Sequence, residues 1–127
     1  MRHLFYTLDD ANNVIPCHSA ATWAEWFQRA TETRRRWVAN TVIGDGTRIS
    51  TVFLGIDQNY GTDIGPPMVF ETMIFYGGNF ADEMGQWRHA TWDRAASFHT
   101  HLVHDMIDRF SNVDAVLAEV EALANEP

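Results

Sequence analysis

The sequence predicts an α+β domain: an antiparallel meander of about four to five strands, with one N-terminal helix and two C-terminal helices. Three observations carry this reading. Apolar residues recur at helical spacing near residues 23–30 and then switch to a two-residue alternation from Trp37. The strand-like runs follow one another across turn-rich connections instead of alternating with helices. No βαβ unit repeats, which disfavours a doubly wound sheet.

Taken in order, Leu4 to Leu8 reads as a short strand, and Val14–Ile15 before Pro16 as a second extended piece. Ser19 is a good N-cap, its hydroxyl suited to an orphan backbone N–H. After it, Trp23, Trp26, Phe27 and Ala30 fall at i, i+3, i+4, i+7, an amphipathic helix of about three turns. The RRR run at 34–36 reads as a solvated corner beyond the helix end. "WVANTVI" alternates, and Gly44-Asp45-Gly46 is a tight-turn signal that makes a β-hairpin with the next run. Arg48–Ile56 and Met68–Tyr76 are apolar on both faces, as expected of adjacent central strands covered twice, or of a sheet whose second face meets a partner. "QWRHA" is a weaker last strand. Thr91 caps a helix with Trp92, Ala95, Ala96, Phe98, Leu102, Met106 and Phe110 towards the core. Ser111 or Asn112 then restarts a final helix, Val113 to Ala124.

At 127 residues, residues 1–127 are expected to form a single domain, large enough to bury a core without disulfide or metal staples. The balance of 9 basic against 17 acidic residues, net −8, argues against direct nucleic-acid binding, which needs a basic footprint. No apolar run approaches the roughly 18 residues of a transmembrane helix, so no membrane partner is expected. "MRHLFYTLDD" lacks the apolar stretch of a signal peptide, and Cys17 is alone. These features point to the cytoplasm.

"STVFLGID" (50–57), "GPPMVFETMIF" (65–75) and "WRHATWDRAASFH" (87–99) together resemble a family of small uncharacterised proteins from tailed phages and prophages. The resemblance covers roughly residues 36 to 105. It implies a phage or prophage setting and, in an infected cell, the host cytoplasm. It carries no activity. The polar members of its pattern fall on Asp57, Glu71, Thr91 and His99, which are the candidate binding residues. The pattern has a histidine after the strand-ending aspartate and a glycine before the helical histidine; here these positions are Gln58 and Phe98.

Glu71 lies between Val69 and Met73 on its strand face. A buried carboxylate must be paired, hydrogen-bonded or protonated. A raised-pKa acid or base is one reading. The favoured one is a structural pair with Arg48 or Arg88 on a flanking strand. Asp57 reads as a loop-forming side chain. On the helix, His101, His104, Asp105 and Asp108 share a face at i, i+3, i+4, i+7 and are the weak metal candidates. That face opposes the apolar stripe and reads as solvated, so no metal and no cofactor are expected. No nucleophile elbow, phosphate loop or catalytic cysteine context is present.

The function these observations favour is a non-enzymatic phage or prophage accessory protein. It would bind another protein, from host or phage, or a second copy of itself. A host-defence antagonist of the anti-CRISPR or anti-restriction type is the concrete version, with the acidic charge blocking a basic channel. The alternatives are a virion or assembly component, and a small enzyme or ligand-binding module using Glu71, Asp57 and His99.

Overall fold

β1 (Phe5–Leu8) and β2 (Val14–Cys17) form an antiparallel hairpin of their own. Its turn is built by Asp9, whose carboxylate accepts from the backbone N–H groups of Ala11 and Asn13. The computed structural model from which this is read describes residues 2–44, 46–62, 64–76 and 83–124; at 83–84 and 109–124 it describes the backbone. Helix α1 (Ala20–Glu32) follows, and the Ser19 side chain accepts from Thr22 N as the cap. Its Trp23 indole donates to the Tyr6 carbonyl. Gly55, at φ +72°, lies so close that a Cβ there would stand 2.9 Å from the indole nitrogen. Only a residue without a side chain lets the strand end turn beneath that ring.

The main sheet is a four-stranded antiparallel meander in the order β3 (Trp37–Ile43), β4 (Thr47–Phe53), β5 (Phe70–Phe75), β6 (Glu83–His89). The two long apolar runs are the adjacent central strands, as their composition implies. Both are shorter than the sequence pattern suggests. Leu54 and Gly55 leave the sheet, and Ile56 makes a lone bridge to Phe5 that ties the hairpin to the meander. The hairpin is therefore an accessory ribbon, not a fifth strand of the meander.

The C-terminal half departs from expectation. Instead of two helices there is one, α2 (Trp92–Ala124). Ser111 and Asn112 do not break it, and from Trp92 to Ala124 the chain has no Gly or Pro to leave a carbonyl unpaired or clash with the preceding turn. The side chains of Phe110 and of the Val113–Ala124 stripe lie outside the described residues. No helix among the described residues is long and apolar enough to cross a membrane.

Helix α2 lies on one face of the meander. Ile49, Thr51 and Phe53 of β4 and Phe70, Thr72 and Ile74 of β5 point to that face and are buried. Around Phe53 the core joins Tyr6, Leu8, Phe70 and Ala95, with Trp26 and Trp92 against them. Further along α2 a second cluster gathers Ile43, Ile49, Ile74 and Met106. Of the run at 34–36, expected to be a solvated corner, Arg34 is exposed but Arg35 and Arg36 are partly buried. Arg35 donates to the Asp9 carbonyl, and Arg36 donates to Phe53 O and Thr31 Oγ1 while lying 3.8 Å over the Phe27 ring. These contacts clamp α1 onto the β3–β4 end of the sheet, and burial pushes the Arg36 pKa down from its ordinary value.

The opposite face of the meander carries Val42, Ser50, Val52, Met73 and Glu71. Glu71 is 8% exposed there. Arg88 stands directly across from it on β6, with Nε 3.5 Å from Oε2. Arg48 does not serve: its partner on β5 is Phe75, four positions from Glu71 or about 13 Å along the strand. The expected two-pronged fork is absent as well. The main hydrogen bond to Glu71 comes from Gln86 Nε2, a residue the sequence reading did not weigh. Because the Arg88 side chain is 44% exposed, water can take it up when the carboxylate is lost. We therefore expect Glu71→Ala to cost only about 1–2 kcal/mol, well short of the cost of stranding a buried cation. Glu71→Gln should cost less, since the amide oxygen still accepts from Gln86. Urea midpoints of the two variants check this, and an alanine variant as stable as the parent would refute it.

Candidate functional site

A continuous chain of hydrogen bonds crosses the sheet beneath α2. Thr41 Oγ1 lies 2.9 Å from His99 Nε2, and His99 Nδ1 lies 2.8 Å from Thr51 Oγ1. Thr51 Oγ1 is 2.7 Å from Thr72 Oγ1, which is 2.9 Å from His89 Nε2. One member comes from each strand of the meander, and His99 comes from the helix. Thr51 and Thr72 are cross-strand neighbours, so pleat geometry alone brings their hydroxyls together. Thr51, Thr72, His89 and His99 are all buried, and burial lowers the pKa of both imidazoles. Both rings are therefore neutral at neutral pH.

With both rings neutral the chain can run in two directions, and keeping every threonine proton inside it selects one. Each threonine has one hydroxyl proton and each neutral imidazole one N–H. When all three threonine protons are used within the chain, Thr41 donates to His99 Nε2, which puts the His99 proton on Nδ1. His99 then donates to Thr51, Thr51 to Thr72, and Thr72 to His89 Nε2. The last proton rests on His89 Nδ1. That nitrogen has no hydrogen-bond partner among the described residues, although the residue is only 8% exposed.

His89 is among the residues that line a cleft of about 760 Å³ between β6, the head of α2 and the loop before β5. This is within the usual range for small-molecule sites. Arg88, Arg94, His101, Thr91 and Ser97 line it with Pro66, Met68, Ala90 and Phe98. Thr91 caps α2 by accepting from Arg94 N, so the cleft also lies by the positive end of a 33-residue helix.

The sequence candidates relate to this cleft in different ways. Thr91 lines it. His99 is buried behind it and reaches it only through Thr51, Thr72 and His89. Asp57, at 3% exposure, holds the wall that Pro66 and Met68 form. It accepts from Asn59 N, Met68 N and Arg2 Nε, while Arg2 also donates to Gly65 O. Burial alone would raise the Asp57 pKa, but these hydrogen bonds hold it below the ordinary carboxylate value. Its loop-forming role is as expected, and the Arg2 partner was not foreseen. Glu71 is on the outer face and bears on the cleft only through Arg88. Of the helical set, His101 lines the cleft, and His104, Asp105 and Asp108 are exposed. Among the described residues, no three His, Cys, Asp or Glu side chains converge as a metal site.

Thr41, Thr51, Thr72, His89 and Arg94 were missed by sequence reasoning. A signal existed for two of them: Thr51 and Thr72 occupy core-facing places between Ile49 and Phe53 and between Phe70 and Ile74. Threonine is β-branched and passes as an ordinary strand former. No protein-family profile, curated protein or solved structure matches the chain.

The buried imidazoles give stability a defined pH dependence. Their folded pKa values lie below the unfolded value of about 6.5. The folded state therefore holds fewer protons, and the stabilisation is complete above about pH 6.5 and lost as pH falls towards the folded pKa values. We expect unfolding free energy to fall between pH 7 and 5, with a limiting slope near 1.4 kcal/mol per pH unit for each histidine. His99→Gln should remove one proton from that slope. Urea titrations across this range check it, and a flat or rising profile would refute it.

Proposed function

We propose that this chain is a non-catalytic binding module and that the cleft between β6 and the head of α2 receives the anionic group of its ligand. The observation that supports this most is charge. The charges that line the cleft are those of Arg88 and Arg94, with no carboxylate among the described lining residues, in a chain of net charge −8. Against that background a cationic cavity focuses field and concentrates anions. In the proton order set out above, His89 adds a neutral N–H donor, and a carboxylate or phosphate oxygen is its natural acceptor. Thr91 and Ser97 supply hydroxyls, and the helix dipole favours the same sign of ligand.

Binding is favoured over turnover because three of the four nitrogens of His89 and His99 are engaged by threonine hydroxyls, and no side chain beside them offers an activated nucleophile. The setting we propose, from the STVFLGID and FETMIF segments, is that of a phage or prophage accessory protein.

Calorimetric titration with inorganic phosphate at low ionic strength tests the reading. We expect one saturable site that weakens with added salt. Arg94→Ala should weaken it about tenfold or more, the loss of one charge-assisted hydrogen bond. Arg29→Ala, an exposed arginine on α1, should leave it unchanged. Absence of a saturable site, or equal losses in both variants, would overturn the reading.

A further inference from the structure

The cationic cleft does not end at His101. A second cavity of about 460 Å³ continues along α2, lined by Ile74, Tyr76, Trp87, Leu102, Asp105 and Met106. The two share Phe98 and His101 as common lining. From Arg94 to Met106 the groove follows the helix for about 18 Å, at about 1.5 Å per residue. Phe98 stands at the junction, its ring 4.8 Å from the His89 ring on one side and 5.3 Å from the Trp87 ring on the other.

The second chamber differs in chemistry from the first. No arginine lines it: Ile74, Tyr76, Trp87, Phe98, Leu102 and Met106 give it apolar walls, His101 and Asp105 a polar side, and Trp87 is 36% exposed. The Trp87 ring lies across Gly85, two residues before it on the same strand face, and a Cβ at Gly85 would run into the ring carbons. The absence of that one carbon lets the indole lie flat as a wall. Asp105 lines the chamber from the helix and disfavours a second negative charge there. At the junction, His101 Nδ1 faces the Ser97 carbonyl and must donate to it. An anionic group therefore belongs with His89 and Arg94, where no carboxylate is among the described lining residues, and not beside Asp105.

We propose that the ligand is a soluble monoanionic amphiphile, a carboxylic acid with a medium-length apolar chain. Its carboxylate sits at His89 and Arg94, and its chain runs past Phe98 into the chamber walled by Trp87, Ile74 and Leu102. The assignment rests on the anion-binding reading and adds the chemistry of the rest of the ligand. Charge complementarity fixes the head, and the order of the two cavities along α2 fixes the direction of the tail.

Calorimetric titrations with phosphate, acetate, butanoate, hexanoate and octanoate test it. Each methylene that enters the chamber should tighten binding about fourfold, until the chain fills the groove. Gly85→Val, which pushes the indole off its seat, should abolish that chain-length dependence and leave phosphate binding unchanged. Trp87→Ala, an edge-strand change that does not crowd the backbone, should do the same. If phosphate and acetate bind but added methylenes change affinity less than twofold, the amphiphile assignment falls and the anion site stands. If neither phosphate nor any acid binds, both fall. A chain-length gain that survives both variants puts the tail elsewhere and also overturns the assignment.

Discussion

The hydrogen-bonded chain Thr41–His99–Thr51–Thr72–His89 is the constraint on which the rest of the fold depends. Both ring nitrogens of the buried His99 would be left unsatisfied, at a cost on the order of 1–3 kcal/mol each, if α2 did not set them against Thr41 and Thr51. The helix is therefore held in rotation as well as in place. With His99 facing Thr51, Ala95 and Met106 must face the core, and Phe98 and His101 must flank the β6 edge. The position of the cleft follows from that rotation. A core of side chains such as Ile49 and Ile74 alone would tolerate sliding; a chain of directional bonds does not.

Electrostatics supports the edges of the arrangement. The two carboxylates that stand out in the sequence both serve structure, and at different places. Asp57 draws Arg2 and two backbone N–H groups into one knot, which fixes the loop before β5 as a wall of the cleft. Glu71 bridges Gln86 and Arg88 on the far face of the sheet and steadies the exposed edge strand. The long-range partner of Asp57, 55 residues away, matters because it ties the start of the described chain to the rim of the site.

Much of the fold was legible in the sequence because its signals are local. Alternation defined β3, β4 and β5, the Gly44–Gly46 turn defined their first hairpin, and Ser19 with the Trp23–Ala30 stripe defined α1. The single C-terminal helix is not legible because Ser111 and Asn112 resemble a cap, although nothing nearby ends a helix. The site was legible only in part. Thr91 and His99 could be singled out one at a time. The chain linking His99 to His89 depends on β4–β5 and β5–β6 register and on helix rotation, which periodicity does not specify. The roles of Arg2, Gln86 and Arg36 depend on contacts between segments 15 to 55 residues apart.

The proton order of the buried chain decides whether a donor or a lone pair meets the cleft. A long-range proton–nitrogen correlation spectrum of the histidine rings at pH 7.5, in the free protein, reads it without a ligand or a variant. Both His99 and His89 are expected to be neutral with the proton on Nδ1, so that the chain ends in a donor facing the cleft. Rings protonated on Nε2 would reverse the chain and present a lone pair to the cleft. That result would contradict the account.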